Sequence, residues 1–175
     1  MMNANPQPPA QMRALVNADG STQYRLVELP MADRLGDELR ELLQAAWTEA
    51  RPAWLPEQCA PDVNMLRAAE QAGALFTVCV YATDDRLIGF AAAHVYRECF
   101  TSVPICDGLA LYIEPEHRRA VLTEALLDTV ADAARARGAA LMQWFAGPGA
   151  SLDAYLRPTA CFRHASTVYA AHLTT

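Results

Sequence analysis

The chain contains no lysine, and all 14 of its basic residues are arginine. Together with the many alanines, this bias is typical of a GC-rich genome and indicates a bacterial or phage source. The basic residues are outnumbered by 20 acidic residues, which leaves a formal net charge of −6. A surface of that sign argues against non-specific binding to nucleic acid phosphates and suits a cationic partner such as an amine.

Long apolar runs are also missing, so the sequence predicts no membrane-spanning helix. The N-terminus lacks the charged and then apolar pattern of a secretory signal, and we therefore expect a cytoplasmic protein. The chain has five cysteines, an odd number that cannot all be paired within one chain, and none of them forms a CxxC motif. This argues against a disulfide framework and favours buried free thiols. The four histidines have no metal-ligand spacing, and GxSxG and P-loop motifs are absent, so we expect no metal site.

The length of 175 residues fits one domain with a full core. Residues 1–20 are rich in Pro, Asn, Gln and Ala and predict an N-terminal tail or arm, followed by a single domain over residues 21–175. Apolar periodicity predicts strands over 22–29, 74–82, 86–96, 105–113, 139–146 and 163–173. It predicts helices over 32–50, from Pro61 to Gly73, from Pro115 to Gly138, and over 150–157. A hairpin that leads into a strand–helix–strand crossover implies a mixed sheet with helices on both faces.

The stretch from Leu111 to Leu127, LYIEPEHRRAVLTEALL, resembles the acetyl-CoA-binding motif of the GNAT superfamily of N-acetyltransferases. In that family a strand is followed by a turn with the pattern Arg/Gln-x-x-Gly-x-Gly/Ala and by a helix that opens with paired leucines. Arg118 matches the first position of the turn, and Leu126 and Leu127 match the paired leucines. The order of elements agrees as well. The resemblance implies an α/β GNAT fold, with a mixed, mostly antiparallel central sheet, a β-α-β acetyl-CoA-binding core and helices on both faces.

The resemblance further implies that acetyl-CoA is a co-substrate, with its diphosphate at the N-terminus of the helix and its pantetheine arm along the preceding strand. The residues implied to bind it are Leu111, Tyr112, Ile113, Arg118, Arg119, Ala120, Val121, Leu122 and Thr123. Val121 and Thr123 stand where the family has small residues, mostly glycine, which allow a ligand close to the backbone. Two functions therefore stay open: an N-acetyltransferase, and a GNAT-fold protein without catalysis that serves as a binding or assembly component.

For catalysis, the resemblance implies that a tyrosine on the helix after the second strand of the β-α-β core acts as the general acid. In this chain that tyrosine is Tyr155, and the alternative is that Tyr155 has only a packing role. Asp107 and Glu114 are the candidate bases for an attacking amine, although Asp107 also fits a turn and Glu114 fits a helix cap. His94 lies in an apolar strand and is more typical of a hydrogen-bonded core residue. The expected acceptor is a small-molecule or protein amine, and a homodimer is a candidate assembly.

Overall fold

The computed structural model describes residues 12–16, 22–51, 55–145 and 151–156. Within these residues, six strands and four α-helices follow one another in the order β1 (Met12–Val16), β2 (Thr22–Leu29), α1 (Asp37–Ala50), α2 (Val63–Gln71), β3 (Leu75–Tyr81), β4 (Leu87–Arg97), β5 (Pro104–Ile113), α3 (Ala120–Ala136), β6 (Leu141–Trp144) and α4 (Ser151–Leu156). The chain divides into two compact units, residues 1–145 and 146–175. The first unit holds the sheet with α1 to α3, and the second holds α4.

The six strands form one sheet in the order β1-β2-β3-β4-β5-β6. The first four neighbouring pairs are antiparallel, and β5 and β6 are parallel. The parallel pair needs a crossover connection, which α3 supplies. The predicted mixed, mostly antiparallel α/β sheet is thus confirmed.

Side chains alternate between the two faces of the sheet along a strand, so the apolar strands present apolar side chains on both faces. A different helix covers each of these faces. On β4, for example, Phe90 and Ala92 belong to the core under α1, whereas Ala91 and Ala93 belong to the core under α3. The core under α3 is completed by that helix's apolar stripe, which consists of Leu122, Ala125, Leu126, Val130, Ala133 and Ala134. Among the described residues, none of the helices combines the length and the apolar character that a membrane crossing requires.

The start of the chain differs from the prediction of a tail, because Met12–Val16 forms an edge strand that pairs antiparallel with β2. Its side chains are mostly exposed, with only Leu15 packed against the core. An exposed five-residue edge strand leaves little hydrophobic periodicity in the sequence, which is why the pattern was typical of a tail.

The helix predicted over 32–50 is also divided. A 3-10 turn over Ala32–Arg34 comes first, and α1 begins after Gly36, whose extended backbone forms the N-cap. The turn is held by the buried carboxylate of Glu70, which accepts hydrogen bonds from the backbone N–H groups of Met31 and Ala32. The second helix agrees with the prediction, and the carboxylate of Asp62 caps it. The strand predicted over 163–173 lies outside the described residues.

A buried ion pair joins the C-terminal end of α3 to β2. Arg137 donates to Glu28 at 2.6 Å, and the two side chains are only 8% and 11% exposed. The guanidinium also lies over the ring of Phe76, 4.3 Å from its centroid. Since charges at this depth have lost most of their hydration, each one depends on the other.

Candidate functional site

The parallel strands β5 and β6 are paired along only part of their length. Their register runs from Ile105 opposite Leu141 to Gly108 opposite Trp144, where β6 ends. β5 continues to Ile113, and no described strand pairs with it on that side beyond Gly108. The first unit therefore has an open backbone edge over residues 109–113, which we call the β5 edge.

The backbone groups that face the β5 edge follow from the hydrogen bonds on the other side of the strand. The N–H of Glu114 donates to the carbonyl of Ile88 on β4 at 2.9 Å. Because the direction alternates along a strand, Tyr112 also faces β4, whereas Leu111 and Ile113 direct their N–H and C=O groups away from β4. Of the three strand positions expected to bind a ligand, Leu111 and Ile113 therefore supply the outward-facing groups.

A β-bulge marks the start of this edge. Ala92 pairs with Ala110 and Ala93 pairs with Gly108, which leaves Leu109 without a partner on β4. Leu109 is 57% exposed, although it lies within a central strand. Bulges bend a strand and redirect its side chains, so this one coincides with the point at which β5 and β6 part.

The N-terminus of α3 follows the C-terminal end of the β5 edge, since β5 ends at Ile113 and α3 begins at Ala120. Arg119 is its N-cap residue and makes no side-chain capping bond, and the first helical bond runs from the N–H of Thr123 to the carbonyl of Arg119 at 3.0 Å. The N–H groups of Ala120, Val121 and Leu122 thus have no acceptor within the helix. The side chain of Val121 is 68% exposed. Uncapped amides at a helix start favour an anion.

The two adjacent arginines have different environments. Arg118 donates from Nε to the carbonyl of Ile113 at 2.8 Å and from Nη2 to Glu49 on α1 at 2.5 Å, and its guanidinium lies 5.4 Å from the ring centroid of Tyr112. It therefore fastens the end of β5 to α1. The side chain of Arg119 is exposed and makes no ion pair or hydrogen bond with any residue in the described part of the chain. Its charge is available beside the uncapped amides.

Asp107 lies at the opposite end of the β5 edge, in a row of polar side chains that crosses three strands. It is directly opposite His94 on β4 and Gln143 on β6, and the Nε2 of Gln143 donates to its Oδ1 at 2.7 Å. The ring of Tyr96 stacks on that of His94, with 5.7 Å between centroids and 13° between planes. All four side chains belong to the face that α1 covers further along. Loss of hydration and the negative charge of Asp107 raise the pKa of Tyr96, so its hydroxyl stays a donor.

Glu114 occupies a different place. It pairs with Arg86 at 2.5 Å, and the same guanidinium lies 3.2 Å from Nε2 of His117. Glu114 lies seven positions after Asp107 along the chain, which corresponds to roughly 20 Å of strand. The structure therefore does not bring the two candidate bases together. Glu114, Glu116 and His117 have ligand atoms within 4.8 Å of one another, but Arg86 already contacts two of the three.

Comparison with known proteins gives the family. Residues 36–155 match the acetyltransferase (GNAT) family, which is more than half of the chain. The chain belongs to the GNAT acetyltransferase family. The resemblance carried by residues 111–127 is thus confirmed. No curated protein matches this sequence.

Solved structures of other GNAT proteins share the fold at low sequence identity. An aminoglycoside acetyltransferase from an uncultured soil metagenomic sample superimposes with a TM-score of 0.66 at 15% identity, covering 87% of this chain and 99% of that one. A ribosomal-protein-alanine N-acetyltransferase from Brucella melitensis biovar Abortus 2308 gives a TM-score of 0.63 at 19% identity, with 86% and 99% covered. The aminoglycoside N-acetyltransferase AAC(6')-Iy in complex with CoA gives 0.66 at 15% identity, with 95% and 97% covered.

Two side chains of this GNAT domain's polar row, Tyr96 and Gln143, were not singled out from the sequence. Tyr96 shares a strand face with His94, which the alternation of β4 indicates. Gln143 is brought to Asp107 by the parallel register of β5 and β6, which no local pattern encodes. Tyr155 lies on α4 in the second unit.

Proposed function

We propose that the protein is an acetyl-CoA-dependent N-acetyltransferase that transfers the acetyl group to a primary amine by direct attack. The observation that carries this proposal is the β5 edge, which lies between the free amides of α3 and Asp107. The family match supports acetyl transfer in general. The donor, the acceptor and the residue roles below are our inference.

The residues present fit an acyl-CoA donor. The N–H groups of Ala120, Val121 and Leu122, with the unpaired guanidinium of Arg119, provide donors and positive charge for a diphosphate. The outward-facing N–H and C=O groups of Leu111 and the N–H of Ile113 provide strand-like hydrogen bonds for an extended chain with amide groups, while the Ile113 carbonyl already accepts from Arg118. Acetyl-CoA would supply the activated acyl thioester.

Asp107 is the proposed base. An ammonium group cannot attack a carbonyl carbon, so the carboxylate of Asp107 accepts a proton from the acceptor nitrogen, and Gln143 holds that carboxylate in place. The β5 edge supplies a backbone N–H, for which Leu111 is the best placed, to the developing oxyanion; such donors contribute about 3 kcal/mol. Tyr155 is the proposed acid that donates its hydroxyl proton to the thiolate released when the C–S bond of the thioester breaks. Glu114 is not proposed as the base, because Arg86 holds it at the far end of β5.

The acceptor is proposed as a small-molecule or protein amine. The similar structures include enzymes named for each class, an aminoglycoside acetyltransferase and a ribosomal-protein-alanine N-acetyltransferase. An acidic surface with a formal charge of −6 favours acceptors that carry further positive charge.

Calorimetry with acetyl-CoA and CoA tests the donor site. We expect binding by the unmodified chain, and about tenfold weaker binding by Arg119→Ala, because a charge-assisted hydrogen bond is worth more than 1.4 kcal/mol. Arg135→Ala is the matched control, since Arg135 is an exposed arginine at the other end of the same helix. The absence of any binding at millimolar ligand would overturn the proposal.

Turnover of acetyl-CoA with a panel of amines, measured through the release of the CoA thiol, tests the role of Asp107 as the base. Asp107→Asn keeps the shape of the side chain and is expected to lower kcat/KM by about 10²–10⁴ with CoA affinity unchanged. Asp132→Asn, an exposed acidic position on α3, is the control. Loss of turnover in Glu114→Gln, with Asp107→Asn active, would transfer the role of base to Glu114.

The second candidate is a GNAT-fold protein without catalysis that binds or assembles with a partner, and Val121 and Thr123 in place of small residues favour it. The substitution Val121→Gly separates the two. If the protein is an enzyme in which the Val121 side chain restricts the space for the diphosphate, the substitution increases its affinity for CoA. If the protein is an assembly component, the substitution only lowers the stability of the helix, by about 1 kcal/mol. The assembly component also predicts a stable oligomer in size-exclusion chromatography with light scattering.

A further inference from the structure

Trp144 lies at the position where the pairing of β5 and β6 ends. It forms the last register pair of the two strands with Gly108. A methyl group added at Gly108 would overlap the six-membered ring of the Trp144 indole, so the ring lies directly on the glycine backbone. Trp144 is half-buried and packs against the core under α3, and its Nε1 has no hydrogen-bond partner among the described residues.

The β5 edge therefore has two different ends. One leads to the uncapped amides of α3, and the other meets the face of an indole. The five residues between them, 109–113, extend over roughly 16 Å. If the diphosphate of the donor lies at α3, as proposed above, the acyl end of the donor lies next to Trp144. This inference thus rests on the proposed function.

We propose that Trp144 is a specificity-determining residue that restricts the donor to short acyl groups. The indole and the bare backbone of Gly108 together fill the corner into which a longer acyl chain would extend. The side chain is apolar where it meets this corner, so its removal leaves an apolar space that suits added methylene groups. A smaller residue at this position is therefore expected to shift the preference from acetyl toward longer chains.

The test is calorimetry of the full chain with CoA, acetyl-CoA, butyryl-CoA and hexanoyl-CoA. We expect the unmodified protein to bind acetyl-CoA more tightly than the two longer donors. In Trp144→Ala the order reverses, and each buried methylene adds about fourfold in affinity, so butyryl-CoA, with two more methylenes, exceeds acetyl-CoA by about fifteenfold. CoA itself binds both proteins within about threefold, which also shows that the variant is folded.

Trp144→Leu keeps an apolar side chain in the core and provides the same test if Trp144→Ala does not fold. Leu141→Ala is the matched control, because Leu141 is 52% exposed and lies at the other end of β6. A variant that binds CoA but keeps the original order of chain lengths overturns this inference alone. Unmodified protein that binds hexanoyl-CoA as tightly as acetyl-CoA also overturns it, and a failure to bind CoA at all overturns the proposed function with it.

Discussion

The contact between Gly108 and Trp144 predicts the effect of a single methyl group on stability. Gly108 does not have a positive φ, so alanine fits its backbone, and the cost of Gly108→Ala comes from the overlap with the indole. Overpacking of this kind costs about 1–3 kcal/mol, and the lower chain entropy of the unfolded alanine variant returns about 0.5 kcal/mol. We therefore expect Gly108→Ala to lower the free energy of unfolding by about 0.5–2.5 kcal/mol.

If the indole is removed first, the same reasoning predicts that Gly108→Ala no longer destabilises the protein. Trp144→Ala costs about 2 kcal/mol by itself, since the side chain is only half-buried. In that background Gly108→Ala has nothing to overlap and becomes neutral or slightly stabilising, so the coupling free energy of the double-mutant cycle is about 2 kcal/mol. Urea unfolding followed by far-UV circular dichroism measures all four proteins without using tryptophan fluorescence. Additive effects within about 0.5 kcal/mol would refute the contact on which the acyl-chain inference depends.

Two further predictions concern the buried polar groups. Glu28→Gln leaves the charge of Arg137 buried and is expected to lower the free energy of unfolding by about 3–5 kcal/mol in urea titrations, and Arg137→Met added to it is expected to restore part of the loss. Burial raises the pKa of Cys79 to about 12 and that of Cys106 to about 11, from an ordinary value of 9.0. The thiols of the unfolded chain lose their protons at lower pH than those of the folded chain, so the full stability is present below pH 9 and falls between pH 9 and about 12. Cys79→Ala should reduce that slope in urea titrations repeated across this range.

Elements with strong local signals were predictable from the sequence. α2 has an aspartate cap before an apolar stripe and a glycine with φ of 70° after it, and α3 ends at Gly138, whose φ of 82° is also positive. The buried strands β3 and β4 have continuous apolar runs on either side of an acidic turn, in which Asp85 has φ of 63°. β1 has none of these signals, because its stability comes from its partner strand β2.

The candidate site was predictable only where it is local. The turn from Leu111 to Thr123 is one continuous stretch, so the resemblance located both the strand and the helix start. The row around Asp107 depends on the register of β4, β5 and β6. That register is displaced by the bulge at Leu109, and a one-residue shift reverses the face of every side chain beyond it. Sequence spacing alone could therefore not place Gln143 against Asp107.

The valine at position 121 weighs less against the site than the sequence alone implied. The groups that favour an anion at the start of α3 are backbone N–H groups, and these are present whatever the side chains are. Glycine shortens the approach of a ligand to them, and Arg119 adds a positive charge at the N-cap position of the same helix. The β5 edge likewise depends on the backbone of Leu111 and Ile113. An anion site composed mainly of backbone groups tolerates substitution of its side chains.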